Sequence, residues 1–314
     1  MRVSVVMTNY NYGRYLREAL DSALNQTVAA HEVVLVDDGS TDDSRDVLES
    51  YGDQIVTVLT ENRGYAAAMA TALTHCSGEV VAMLDADDLM APNRVESLVT
   101  MYETVPDAQW VFHGLEHIDR ETREPLESPP SPAPGFHDER RSFHWGRISL
   151  NAPASSALSW RFDCLKRVLP IPDGIVCVDN YLKFATIGLA PGWVMSEPLS
   201  QQGIHDTNMY TKVPAADRRI KGLQSAVTMV PALDQLGLQM LAEHLAAQPF
   251  VRARGGRELG GDYAEALSSW TGGLSLARKL RFAMFCAATV AERTVDKTRT
   301  RMVARRRIYG PSGS

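Results

Sequence analysis

Four times within the first hundred residues a short apolar run gives way to a polar loop and then to a longer helix-like stretch. That alternation constrains the fold more than any other feature of the chain. The runs are 3–7, 33–36, 55–59 and 80–84, each too short for a helix and rich in valine. Leu16, Ala19, Leu20, Ala23 and Leu24 recur at i, i+3, i+4, i+7 and i+8, the apolar stripe of a helix. Ser40 or Thr41 is placed to cap a second helix over 42–51, and an alanine-rich third covers 65–75. Strands and helices alternating through short connections predict an α/β protein with a parallel, doubly wound sheet and right-handed crossovers. In such a sheet the loops that follow the strands converge on one crevice, here 8–12, 37–38, 62–63 and 85–88.

The fourth run carries the chemistry. Val80-Val81-Ala82-Met83-Leu84 reads as a strand buried on both faces, and Asp85-Ala86-Asp87-Asp88 follows at its carboxyl end. An Asp-x-Asp at Asp85 and Asp87 can hold Mg2+ or Mn2+ through one or two oxygens, the cation finishing its shell with water and substrate phosphates. No G-x-G-x-x-G follows the first strand, which argues against a dinucleotide and for a mononucleotide ligand.

Further along, Pro92 suits the first turn of a helix to about Tyr102, and 110–114 reads as a fifth strand. The five prolines of 122–134 mark an excursion. An element at 155–162, a helix over 179–187 closed by Gly188, and a short edge strand over 193–199 follow, and from about Ala215 the pattern is helical. These readings divide the chain into 1–212 and a helical region, 213–314.

The formal charge of −6 conceals an asymmetry, because 276–309 holds ten Lys and Arg against two acids and the remainder is therefore −14. So acidic a body is a poor binder of nucleic acid. The basic segment, interleaved with Leu276, Leu280, Phe282, Met284, Phe285 and Val290, either lies peripherally on an anionic membrane or packs on the body with a solvated end. Cys76, Cys164, Cys177 and Cys286 show no C-x-x-C spacing, which speaks against zinc and for a reducing compartment. With no run near the roughly 20 apolar residues of a membrane span and no signal-peptide pattern, the expectation is a cytoplasmic protein.

Four motifs in order resemble the family 2 glycosyltransferases of GT-A fold: 3–11 (Val-Ser-Val-Val-Met-Thr-Asn-Tyr-Asn), 36–42 (Val-Asp-Asp-Gly-Ser-Thr-Asp), 61–64 (Glu-Asn-Arg-Gly) and 78–88, ending Leu-Asp-Ala-Asp-Asp. The resemblance covers about two-thirds of the chain, to Asn208, with 1–100 as the nucleotide-sugar side and 101–212 as the acceptor side. It implies an inverting, metal-dependent transfer from a nucleotide-diphosphate sugar, most often UDP- or dTDP-linked. The acceptor would be a hydroxyl of a glycan, glycolipid or secondary metabolite. It further implies that Thr8, Asn9 and Tyr10 line the nucleotide, the Tyr10 ring stacking on the base. Asp38 or Asp37 would accept the base N–H, Arg63 would meet the diphosphate, Asp85 and Ala86 would lie against the sugar nucleotide, and Asp87 would take the metal.

An inverting reaction also needs a base on the opposite face. By resemblance that base is Asp179, with Asp173 the nearest substitute. His205, in Ile-His-Asp-Thr-Asn, would complete the metal shell or contact a phosphate, or else be structural. The chain departs from the family at Val178, at Met69-Ala70 and at Gln202-Gly203, where Glu, Arg-Asn and Tyr-Arg are common. Trp160, Arg161 and Trp193 are either acceptor-side or core residues. The rival readings are a non-catalytic nucleotide-sugar-binding protein and a nucleotidyltransferase.

Overall fold

The computed structural model describes residues 1–128, 130–144, 150, 152–208, 214–254 and 259–291. They form two compact units, one within 1–218 and one from 219 onward. The first opens with β1 (Val3–Asn9), α1 (Gly13–Leu24), β2 (Glu32–Asp38), α2 (Ser44–Glu49), β3 (Val56–Thr60), α3 (Tyr65–Thr74) and β4 (Val80–Met83). It continues through β5 (Leu89–Met90), α4 (Arg94–Thr104), β6 (Trp110–Asp119), β7 (Pro125–Leu126), β8 (Gly135–His137) and α5 (Arg140–His144). β9 (Leu158–Arg161), α6 (Phe162–Lys166), α7 (Val178–Leu189) and β10 (Gly192–Ile204) complete it.

All the strands join one sheet in the order β3-β2-β1-β4-β9-β6-β10-β5, with β7 on β6 and β8 on β10. β1 to β4 pair in parallel as the alternation predicts, and so do β6 and β10. β9 is reversed, antiparallel to both β4 and β6. One face of the sheet buries Val3, Val5, Met7, Val33 and Leu35 against Leu16, Ala19, Leu20 and Ala23, the stripe read from the sequence.

Two expectations need correction. The short edge strand over 193–199 is the thirteen-residue β10, paired on both sides, by β6 on one and by β8 and β5 on the other. Pro198, which lacks an N–H, suits an edge strand in the sequence. The chain absorbs it as an irregularity, with register shifts on either side of Pro198. The fifth strand likewise passes through Gly114 to Asp119. A Cβ at residue 114 would lie 3.1 Å from the Ser196 carbonyl oxygen, so this glycine serves close strand approach rather than termination.

Gly192 is the tightest such position. An added Cβ would sit 2.0 Å from the Trp110 ring, which is fully buried, stacked on Phe112 at 4.6 Å and held by a Trp110 Nε1–H bond to the Ala190 carbonyl at 2.9 Å. The ring has nowhere to go. Gly192→Ala is expected to cost about 3 kcal/mol or more, the upper end of overpacking, read as a lower urea midpoint at unchanged slope. An unchanged midpoint would show that the β6–β10 contact gives way freely.

The second unit contains α8 (Ala215–Gln235), α9 (Gln239–Arg254), α10 (Gly261–Gly272) and α11, which covers 276–291. Among the described residues no helix is long and apolar enough to cross a membrane. The basic stretch beyond 291 lies outside the described residues.

Candidate active site

The loops after β1 and β2 are tied to each other. The Asn9 side-chain amide donates to Asp37 Oδ1 at 2.8 Å and to Ser40 Oγ at 3.1 Å, and the Asn11 backbone N–H donates to Ser40 Oγ at 2.9 Å. Asn9 and Asp37 are buried, so both side chains are engaged in bracing the crevice wall. Asp38 reaches the next loop, accepting the Arg63 and Gly64 backbone N–H groups, each at 2.8 Å. Thr8 is half-buried, whereas Tyr10 and the Arg63 side chain are exposed. The first three strand-end loops therefore do converge, with Asp38 as the hinge between two of them.

The fourth loop turns where β4 ends. Leu84 N–H still bonds to the Val6 carbonyl at 3.0 Å, and the Asp85 backbone N–H donates to Ser156 Oγ at 2.9 Å. Asp85, Asp87 and Asp88 each offer an oxygen within 4.8 Å of the others. Burial above all, then the charges of Asp87 and Asp179, push the Asp85 carboxyl up to about 7. Asp88 is driven well above the usual carboxylate range by burial, Asp87 and Asp85. Arg94 lies fully buried nearby, donating to the Met83 carbonyl at 2.9 Å. Burial pulls its guanidinium down to about 9 against the opposing pull of Asp88 and Asp85. Crowded, part-buried carboxylates with an all-oxygen donor set suit a hard divalent cation.

His205 is not part of that oxygen cluster but abuts it. Its Nε2 lies 3.0 Å from Asp87 Oδ2, which also accepts the Asn208 side-chain amide at 3.1 Å. Thr207 Oγ1 sits 2.9 Å from His205 Nδ1. With an ionised Asp87 as acceptor, the proton belongs on Nε2 and the Thr207 hydroxyl donates to Nδ1. The imidazole is only 1% exposed, its ring centroid 4.4 Å from that of Tyr15, over which the Arg120 guanidinium lies at 5.1 Å. Gly203 belongs to the same packing, since a Cβ there would fall 2.3 Å from the Asp87 carbonyl oxygen and 2.6 Å from Arg120 Cδ. This chain has no room for the arginine that the family often carries at that position.

From the other half of the unit, α7 brings Asp179 in its first turn. Asp179 Oδ2 is 3.1 Å from Lys183 Nζ, and Cys177 Sγ–H donates to Asp179 Oδ1 at 2.7 Å. Lys183 also donates to the Pro153 carbonyl at 3.0 Å. Burial alone would raise the Asp179 carboxyl, but the Lys183 ammonium and the Cys177 thiol outweigh it and hold the group below its ordinary value. The thiol itself is pushed up to about 12 by burial and by Asp179. Tyr65, at the start of α3, faces both Asp85 and Asp179, and burial foremost keeps its phenol protonated. Asp173 is exposed in the loop before α7. Trp160 is fully buried, its Nε1–H bonded to Thr186 Oγ1 at 2.9 Å, and Arg161 donates to the Tyr102 and Ala108 carbonyls, so both are framework.

Sequence reasoning passed over Lys183, Cys177, Tyr65 and Tyr15. Lys183 was legible as the i+4 partner of Asp179 on one helix. The others sit beside the acids only through tertiary packing.

Comparison with known proteins bears on the family and the fold. The family described as Glycosyl transferase family 2 matches residues 4–158. The chain is 31% identical over 258 residues to the uncharacterized glycosyltransferase alr2836 of Nostoc sp., a match covering 78% of this chain and 74% of that one. It is 35% identical over 121 residues to the uncharacterized glycosyltransferase RT0329 of Rickettsia typhi, a match covering 38% of each. Among solved structures, S. aureus TarS 1-349 in complex with UDP-GlcNAc superposes with a TM-score of 0.57 at 15% identity, over 91% of this chain and 79% of that one. The fold is thus GT-A, and the chain belongs to family 2 of the glycosyltransferases.

Proposed function

We propose that this glycosyltransferase moves a sugar from a nucleotide diphosphate, UDP- or dTDP-linked, to an acceptor hydroxyl with inversion at the anomeric carbon. One observation carries the reading: Asp179, more than ninety positions downstream of Asp85, comes close enough to help raise it, so an ionised carboxylate faces an acid cluster across one crevice. Thr8 and Tyr10 would contact the base, Asp38 would accept its N–H, and Arg63 would meet the diphosphate. Asn9 and Asp37 would hold those loops in place. TarS was solved with UDP-GlcNAc, which favours a uridine donor here.

Asp85 and Asp87 would hold the divalent cation, Mn2+ or Mg2+, with Asp88 beside them and His205 and Asn208 orienting Asp87. When bound, the cation supplies Lewis-acid stabilisation of the departing diphosphate. On the opposite face Asp179 accepts the acceptor's proton as the new C–O bond forms and the bonding pair of the old one leaves on the diphosphate. Lys183 and Cys177 keep Asp179 ionised for that task.

The test is thermal melting with UDP, dTDP and GDP, each with and without Mn2+. One nucleotide should raise the melting temperature only when Mn2+ is present, because ligand at 100 times its dissociation constant adds about 2.7 kcal/mol. No rise with any nucleotide at about 1 mM, the upper end of ordinary KM values, would sink the donor-site assignment.

A further inference from the structure

Helix α11, residues 276–291, is amphipathic in the reverse sense from a water-facing helix. Leu276 is 76% exposed, Leu280 63% and Met284 72%. Ala287 and Ala291 are exposed as well, and spacings of four, four, three and four put all five on one face. Ala283 and Val290 widen that face, and among the described residues of the helix Lys279 is the one charged residue exposed.

The helix turns its other cations inward. Arg278 Nε is 2.7 Å from Glu243, and its Nη1 is 3.0 Å from Asp234. Arg281 Nη2 donates to the same Glu243 at 2.7 Å, and Glu243 is fully buried. Beside them Phe282 is buried edge-on to Phe250, ring centroids 5.0 Å apart. The helix cannot roll its leucines inward without stripping both arginines from a buried carboxylate. The apolar side is therefore fixed outward.

We propose that this outer face of α11 docks on an anionic lipid bilayer, the helix lying in the plane of the interface. Charge complementarity names the occupant. Residues 293–307, next along the chain, carry seven Lys and Arg against one Asp, whereas the chain outside 276–309 is at −14. An anionic surface attracts the segment that follows this helix in the chain. An apolar stripe adjoining basic charge is the pattern of helices that bind at the interface. Among the described residues no helix is long and apolar enough to cross a membrane, so the face is read as lying on the bilayer. Lys279, at the rim, can keep its ammonium in the headgroups while its stem lies along the apolar surface.

The test is co-sedimentation of the full chain with vesicles of phosphatidylglycerol and phosphatidylcholine in equal parts, and with phosphatidylcholine alone. Binding should favour the mixed vesicles by about tenfold or more, weaken with salt, and fall at least about tenfold in Leu280→Glu/Met284→Glu. Should that variant fail to fold by circular dichroism, Leu280→Trp decides the matter. Its added emission should shift to the blue on the mixed vesicles and be quenched by brominated lipid, and no change would count against the proposal. It is overturned if the wild type stays in the supernatant with mixed vesicles. It is equally overturned if the double variant binds as well as the wild type. A wild-type dimer that Met284→Glu splits, with no vesicle binding, would make the face a contact between copies and reject the bilayer. None of these readouts uses a sugar donor, so the docking surface and the donor site stand or fall separately.

Discussion

Asp179→Asn should lower kcat by about 10²- to 10⁴-fold, the range of a lost general base, while leaving the nucleotide-dependent rise in melting temperature intact. The amide keeps the shape of the carboxylate but cannot take the acceptor's proton. Because Asp179 belongs to α7 and not to the loops proposed to hold the nucleotide, donor binding should survive. Lys183→Met supplies a second reading of the same site. The ammonium 3.1 Å away is a main reason the Asp179 carboxyl sits below its ordinary value. Its loss should leave burial to raise that value, moving the acid limb of the kcat/KM profile to higher pH, with Lys183→Arg restoring most of the shift. A purely structural lysine would lower activity without moving the limb. Full activity in Asp179→Asn would take the base away from α7 altogether, and Asp173 would be the next residue to replace.

The parts of this molecule that were legible in the sequence are those whose cause is local. β1 to β4 are short valine-rich runs and α1 carries its stripe in plain periodicity, so the parallel half of the sheet and the acids at its carboxyl ends followed from pattern alone. β10 was legible only as a short edge strand, because Pro198 offers no N–H to a central ladder, and its full length depends on pairing with β6, β8 and β5. The site divides the same way. Asp85 and Asp87 stand in the loop after β4, where the strand pattern puts acids, whereas Asp179 is reached only through the family resemblance. Asn9 and Asp37 stand in the loops equally plainly, yet they are turned onto each other and Ser40. No spacing distinguishes a carboxylate that faces a ligand from one that braces a wall. Gly203 is the converse case: a departure from the family motif that suggests lost chemistry in the sequence is required by Arg120 and the Asp87 backbone in the fold.

The acid cluster should make the metal-free protein less stable than it would be without those charges, and Asp85→Asn is the substitution that exposes the effect. The Asp85 carboxyl is raised to about 7 in the folded chain, against about 3.9 for a free aspartate. Below about pH 4 the group is protonated in both states and contributes no difference. Between about 4 and 7 the folded state holds a proton that the unfolded state has released. Stability of the metal-free protein should therefore fall between about pH 4 and about 7 and level off above, with the buried Asp88 adding to the trend. Asp85→Asn removes the titrating charge, so it should raise the metal-free melting temperature at pH 8 and change it little at about pH 4, below the unfolded value. Wild type with Mn2+ should recover the stability lost at pH 8, because a cation among three oxygens 4.8 Å or less apart relieves the same repulsion. Asp87→Asn should lose that recovery and, with it, transfer activity by about 10³-fold or more, since its carboxylate is the one that His205 and Asn208 hold in place. A melting temperature at pH 8 that neither Mn2+ nor Asp85→Asn moves would mean that solvent already screens these carboxylates. The crevice would then lack the electrostatic tension that makes it a metal site.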